Sequence, residues 1–252
     1  MASRHSNRAR ESAATVAQLP RRNRLNLAQL AYERCEEAIV TCRLRPGRLL
    51  SMQDLQTEMD VGRTPIHQAV NRLASDTLIL VRPRHGLQIA PIDLGRERTL
   101  LGLRREMERF VLRLAAERCG PSHRNQFLHI GRALRAAETI DIVTFNQLDR
   151  RIDQLLLQVS GEPFLEHTLR PLHTIFRRLG WIYHSSVRPQ HGLDRTVECH
   201  TAIIDAVCAR DADRAVAAAD ELVEWVEDML TVMDVGVDPA LLDCNLDMLA
   251  AD

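Results

Sequence analysis

Pro91 divides the chain into two stretches of different periodicity, and no single core arrangement satisfies both. Before it, apolar runs are short and separated by turn residues; after it, long segments repeat apolar side chains at helical spacing with hardly any strand pattern. The first stretch predicts a small mixed domain over 25–92. The second predicts an all-helical bundle over 93–252, with a C-terminal tail. Residues 1–24 lack apolar periodicity and carry six arginines against Glu11 alone, which predicts a disordered basic arm.

Within the first stretch, Leu27, Leu30, Ala31, Cys35, Ala38, Ile39 and Cys42 follow helical spacing, and Pro46-Gly47 ends the segment. Ser51 and Asp54 have the spacing of a capping box, which predicts a short second helix closed by Val61-Gly62. Thr64-Pro65 predicts the start of a third, with Thr64 as N-cap, running to about Ser75. Leu78–Val81 and Leu87–Ala90 read as strands around a turn at Arg82–Gly86. Helix, helix, turn, helix and two-stranded wing is the predicted order.

On the third helix, Ile66, Ala69, Val70 and Leu73 fall on one side and Thr64, His67, Gln68 and Asn71 on the other. A free face of hydrogen-bonding side chains without acids, preceded by Arg63 and flanked by Arg72, suits the major groove of DNA better than bulk solvent. Charge is distributed to match. Residues 1–92 hold 14 arginines against 8 acids and 93–252 hold 19 against 26, so the basic module sits at one end. With no lysine in the chain, every strongly basic side chain is a guanidinium able to make bidentate contacts.

After Pro91 the apolar spacing predicts helices near 96–119, 122–138, 144–160, 163–185, 192–209 and 211–231. Asp238-Pro239 could start a seventh, with Leu241, Leu242, Leu246 and Leu249 as its apolar face. No segment approaches the roughly 20 apolar residues of a membrane helix and no signal-peptide core follows the N-terminal charges, so a soluble cytoplasmic protein is expected. The six cysteines form no C-x-x-C pair and read as reduced thiols.

Several motifs occur in order in the first stretch: Ala38-Ile39-Val40, Leu44-Arg45-Pro46-Gly47, Val61-Gly62-Arg63-Thr64-Pro65, Arg72-Leu73 and His85-Gly86. Together they resemble the DNA-binding domain of GntR-type regulators. The second stretch resembles the FCD domain of the FadR subfamily, through Leu103-Arg104 to Glu108, Ala115-Ala116-Glu117-Arg118, Leu148-Asp149, Ser160-Gly161-Glu162-Pro163-Phe164-Leu165 and His200-Thr201-Ala202-Ile203-Ile204-Asp205-Ala206. The resemblance implies a homodimeric repressor that binds a palindromic double-stranded operator and is tuned by a small metabolite, typically an organic acid. The expected DNA contacts are Arg45, Gln53, Arg63, Thr64, His67, Gln68, Asn71, Arg72, Arg84, His85 and Gly86. Gln53 and His67 stand where the family usually has arginine, which implies altered inner bases in the operator.

For the effector, Arg104, Asp149, Asp153, Arg177 and His200 are the candidates, the arginines because a guanidinium grips a carboxylate through two parallel hydrogen bonds. Many FCD domains also hold Zn, Ni or Mn with one Asp and three His. Asp149 and a central His200 match that set, while Asp153 and Leu222 replace two histidines. That leaves at most a three-ligand site of Asp149, Asp153 and His200. Alternatively the two carboxylates line a polar cavity or pair with Arg150, Arg151 or an arginine on a neighbouring helix. Two other functions stay open on sequence: a DNA-binding dimer without an effector, and a metal-dependent hydrolase built on the same three residues, although no nucleophile motif or phosphate loop accompanies them.

Overall fold

The computed structural model describes residues 21–136 and 140–246, and the chain separates into two units. One holds the chain up to Pro91 and again from Asp243; the other holds Ile92–Leu242.

In the first unit, α1 (Arg21–Val40) buries Ala31, Tyr32, Cys35, Ala38 and Ile39. It begins at Arg21, so the last four residues assigned to the arm are helical; extending a nucleated helix costs little and arginine is a good helix former. Residues 1–20 of the expected arm lie outside the described residues. The helix ends at Val40, ahead of the predicted Cys42, because Cys42 turns left-handed at φ 54° and Leu44 N–H reaches back to the Ala38 carbonyl at 2.8 Å. A strand of two residues, β1 (Leu49–Leu50), then precedes α2 (Met52–Met59).

The capping box at α2 forms: Asp54 N–H donates to Ser51 Oγ at 3.1 Å and Ser51 N–H to Asp54 Oδ2 at 2.9 Å. The next helix, α3 (Arg63–Ser75), is capped by Gly62 with no side-chain bond, so Thr64 lies inside its first turn and is not the cap. Strands β2 (Ile79–Arg82) and β3 (Gly86–Ile89) pair antiparallel from Ile79–Ile89 to Arg82–Gly86. β1 adds to the far edge of β3, giving the order β1-β3-β2 and making the expected two-stranded wing three-stranded. Gly86 is required there: its φ is +87°, and a Cβ would stand 2.8 Å from the Leu50 carbonyl oxygen across the sheet.

The second unit is a helical bundle: α4 (Leu94–Arg118), α5 (Pro121–Ala136), α6 (Ile142–Ser160), α7 (Pro163–Ile182), α8 (Asp194–Ala209), α9 (Ala212–Gly236) and the single turn α10 (Pro239–Leu242). Carboxylates of Asp93, Asp141, Glu162 and Asp211 cap α4, α6, α7 and α9. α4 packs against α6, α7, α8 and α9, and α5 closes the bundle against α6 and α8. Leu112, Phe127, Ile152, Leu169, Ile204 and Leu230 fill its core. α7 ends three residues before the predicted helix end, passing into a π-helical turn at Tyr183–Val187. Among the described residues no helix is long and apolar enough to cross a membrane.

The tail departs from expectation. α10 stops at Leu242, and Asp243–Asn245 belong to the first unit, where Cys244 N–H donates to the Pro46 carbonyl at 2.8 Å and Asn245 Nδ2 to the Gly47 carbonyl at 2.8 Å. These bonds add acceptor partners at the Pro46 and Gly47 carbonyls, the second of which Gln88 Nε2 also meets at 3.3 Å, and they outweigh one more turn of a short helix. Leu246 is exposed, and Leu249 lies outside the described residues.

Candidate DNA-binding face and ligand pocket

In the first unit, Ile66, Ala69, Val70 and Leu73 bury one face of α3 and Pro65 joins them. Thr64, Gln68 and Asn71 are exposed on the other face, His67 is half-buried, and Arg63 is exposed at the helix start. Gln53 is exposed on α2, and Arg45 is exposed in the loop before β1. Arg84 and His85 form the tip of the wing, with Arg84 held left-handed at φ 68° and His85 N–H donating to the Arg82 carbonyl at 3.0 Å.

Arg72 is placed differently from the rest of the set. Its guanidinium carbon lies 4.0 Å from the centre of the Tyr32 ring and Nη1 donates to Gln29 Oε1 at 2.8 Å, so it braces α3 against α1. Tyr32 in turn donates to Asp76 Oδ2 at 2.7 Å, just past the end of α3. Sequence reasoning missed Tyr32 and Gln29 because the contact joins residues 43 apart in the chain.

In the second unit, a small cavity of about 50 Å³, partly open to solvent, lies among α4, α6, α7, α8 and α9. All five candidate residues line it: Arg104 from α4, Asp149 and Asp153 from α6, Arg177 from α7 and His200 from α8. They form one network. Arg177 donates from Nε to Asp149 Oδ2 at 3.2 Å and from Nη2 to Asp153 Oδ2 at 2.7 Å. His200 Nε2 meets Asp149 Oδ1 at 2.9 Å, and its Nδ1 meets the Thr196 carbonyl at 2.7 Å. Both ring nitrogens thus face oxygen acceptors, as an imidazolium requires.

Glu108 and His173 complete the network; sequence offers His173, with Tyr183 and His184, only as an additional polar contact to the effector, and does not single out Glu108. Glu108 accepts from Arg104 Nε at 3.2 Å and pairs with His173 Nε2 at 2.8 Å, while His173 Nδ1 lies 3.5 Å from Asp153 Oδ2. Spacing held a signal for them: Asp149 and Asp153 are four apart on α6, as are His173 and Arg177 on α7, so two acids face two bases across the helix pair. The apolar wall includes Phe145, whose ring meets His200 edge-on at 5.2 Å, and Phe176, 5.2 Å from the Arg104 guanidinium. Nearby, Thr196 Oγ1 accepts from Trp225 Nε1 at 2.9 Å and pairs with His184 Nε2 at 3.0 Å.

Burial alone would neutralise these acids, and their partners decide otherwise. Against desolvation, His173 and Arg104 hold the Glu108 carboxyl down at about 2. Asp149 is likewise pulled well below the usual carboxylate range, its burial outweighed by His200 and Arg177. Asp153 is pushed up, by burial first and by the Asp149 charge in addition. His200 is raised: burial opposes its charge, and the Asp149 carboxylate more than offsets that. His184 is lowered to about 4 by burial.

A divalent metal does not suit this donor set. Leu222 lines the cavity at a position where the resemblance expects a ligating histidine, and the three expected ligands are engaged by Arg177 or by one another. Among the described residues no group of three or more His, Cys, Asp or Glu could hold a metal ion. The six cysteines are free thiols.

Comparison with known proteins agrees with both units. Residues 27–89 match the family described as bacterial regulatory proteins, gntR family, and residues 99–224 match the FCD domain. The chain is 29% identical over 188 residues to the HTH-type transcriptional repressor RspR of Escherichia coli K12, covering 73% of this chain and 80% of that protein. It is 24% identical over 216 residues to the regulator BphR of Paraburkholderia xenovorans, covering 81% and 85%. The fold matches the solved structure of E. coli McbR/YncC with a TM-score of 0.71 at 18% identity, covering 81% of this chain and 97% of that one. The two sequence relatives are named as transcriptional regulators, which removes the metal-dependent hydrolase from consideration. A winged helix-turn-helix followed by a helical ligand-domain fold, each matched along its length, makes this chain a transcriptional regulator of the GntR family that carries an FCD domain, as expected of the FadR subfamily.

Proposed function

We propose that the chain is a homodimeric repressor acting in the cytoplasm, which binds a palindromic operator through α3 and the wing and responds to a small organic acid held in the helical unit. The observation that carries this reading is the acid-free polar ridge of α3, held outward by its buried apolar side. Arg63, Thr64, Gln68 and Asn71 are the groove contacts, with His67 and Gln53 reading inner bases and Arg45, Arg84, His85 and Gly86 meeting the backbone or minor groove. A relative named as a repressor supports the sign of regulation.

The acid is assigned to Arg104. Its Nε serves Glu108, and neither terminal nitrogen has a hydrogen bond among the described residues, which leaves a paired donor edge for a carboxylate beside the apolar Phe176 wall. Two-fold pairing is supported by an outer stripe on α4, where Leu100, Leu103, Met107, Phe110 and Leu114 recur at three- and four-residue steps. Leu103 and Phe110 are 52% and 55% exposed, and exposed Glu106 and Arg113 flank the stripe seven residues apart, so antiparallel pairing of two copies sets opposite charges together. Titrating DNA from upstream of the gene, with and without a panel of carboxylic acids, tests the reading. An acid should raise Tm and shift operator affinity by about 5- to 150-fold, and Arg104→Gln should remove both effects while leaving operator binding intact. If no acid changes Tm or affinity, the effector-free dimer is the better account.

A further inference from the structure

The FCD resemblance implies a divalent cation between the helices, and this chain lacks two of its expected histidines. Asp153 is one replacement and Leu222 the other, the latter unable to ligate at all. A buried pair of like charges four residues apart on α6 still needs a counter-charge, because two desolvated carboxylates repel each other strongly.

That counter-charge comes from α7. The Arg177 side chain is 6% exposed and presents one edge of its guanidinium to both acids, Nε to Asp149 at 3.2 Å and Nη2 to Asp153 at 2.7 Å. A guanidinium stays charged across the physiological range, is planar, and is weakly hydrated, all of which suit a buried bridge between two carboxylates. We propose that Arg177 is the resident cation of this pocket, standing where a divalent metal would otherwise join α6 to its neighbours, so that the helical unit is assembled and operates without metal. The inference goes beyond the effector reading and stands without it, since it concerns what neutralises the acids and not which ligand enters.

The replacement has a consequence that can be observed directly. Removing the guanidinium would leave Asp149 and Asp153 with His173 and His200 around vacated space, an O/N donor set that suits Mn²⁺, Ni²⁺ or Zn²⁺. Metal content and thermal melting of the full chain, purified without chelator, test the proposal. The parent protein should contain well under one metal ion per chain and keep its Tm in EDTA and in each of the three ions. Arg177→Ala should melt about 10 °C lower and regain about 5 °C or more in at least one of the ions, a gain that Asp149→Asn added to it should abolish. Should Arg177→Ala not fold alone, refolding in the presence of each ion gives the same readout, and Arg177→Lys, which keeps a charge, should remain indifferent to metal. The proposal is overturned if the parent carries about one ion per chain and loses Tm in EDTA, or if Arg177→Ala responds to none of the ions. Operator titration of the same samples keeps this outcome separate from failure of the regulator reading.

Discussion

Arg63 and Arg72 flank the same eight residues of α3, yet the structure gives them different work, and replacing each with alanine should separate a DNA contact from a structural brace. Arg72 loses a stacking contact at 4.0 Å from the Tyr32 ring and a charged hydrogen bond of 2.8 Å to Gln29. The first is worth about 0.5–1 kcal/mol for a half-buried pair and the second about 1 kcal/mol after allowance for partial solvent exposure, so Arg72→Ala should destabilise by about 2 kcal/mol. In a domain this size that lowers Tm by about 8–16 °C. Arg63 is exposed at the start of the helix, so Arg63→Ala should leave stability within about 0.5 kcal/mol. Duplex binding should show the reverse pattern. Fluorescence anisotropy over a salt series, well below either Tm, should give Arg72→Ala the parental slope of log K against log salt. Arg63→Ala should lose about 10-fold in affinity and, if the contact is to phosphate, about 0.9 in slope. An Arg72→Ala protein with unchanged Tm and a slope reduced by about one would refute the assignment of Arg72 to the α1–α3 contact.

Stability should peak near neutral pH, with His184 opening the acid limb, Glu108 and Asp149 deepening it at lower pH, and His200 setting the alkaline limb. His184 titrates near 4 when folded against 6.5 when free, so the unfolded chain takes up the proton first and up to about 3 kcal/mol is lost as pH falls through that window. His184→Gln should flatten this acid limb in chemical denaturation, and comparison with the parent cancels the opposite drift from Asp153, whose proton affinity burial raises. His200 has the contrary sign: its raised folded value gives stability that is complete below 6.5 and lost as pH climbs through the elevated value, so His200→Gln should remove that decline. At the wing, Gly86→Ala meets both a positive φ and the Leu50 carbonyl, and should cost about 1–3 kcal/mol and weaken operator binding, read by melting and anisotropy together.

The elements that sequence exposes are those set by local periodicity or capping. Ile66, Ala69, Val70 and Leu73 declare the buried face of α3 at helical spacing, and Ser51 with Asp54 declares the start of α2. β1 is invisible because two residues, Leu49 and Leu50, have no alternation to detect, and their only reason to be a strand is the edge of β3. The return of Asp243–Asn245 to the first unit rests on hydrogen bonds to the Pro46 and Gly47 carbonyls, which no side-chain pattern announces. In the pocket, sequence supplies the right residues and leaves their pairing open. An arginine on a neighbouring helix is one of the partners it allows for Asp149 and Asp153, and only the structure identifies Arg177 as that arginine, while Glu108 and His173 take their places from the packing of α4 against α7.

DNA recognition by this protein requires the polar face of α3 to enter the major groove. Methylation protection at guanine N7 on DNA upstream of the gene, with the parent and with Arg63→Ala/Asn71→Ala, tests it most directly. Protected guanines are expected in two half-sites about 10 base pairs, or a multiple of that turn, apart, with protection lost in the double variant. Unprotected guanines under saturating parent protein, or a footprint that the double variant leaves unchanged, would contradict it.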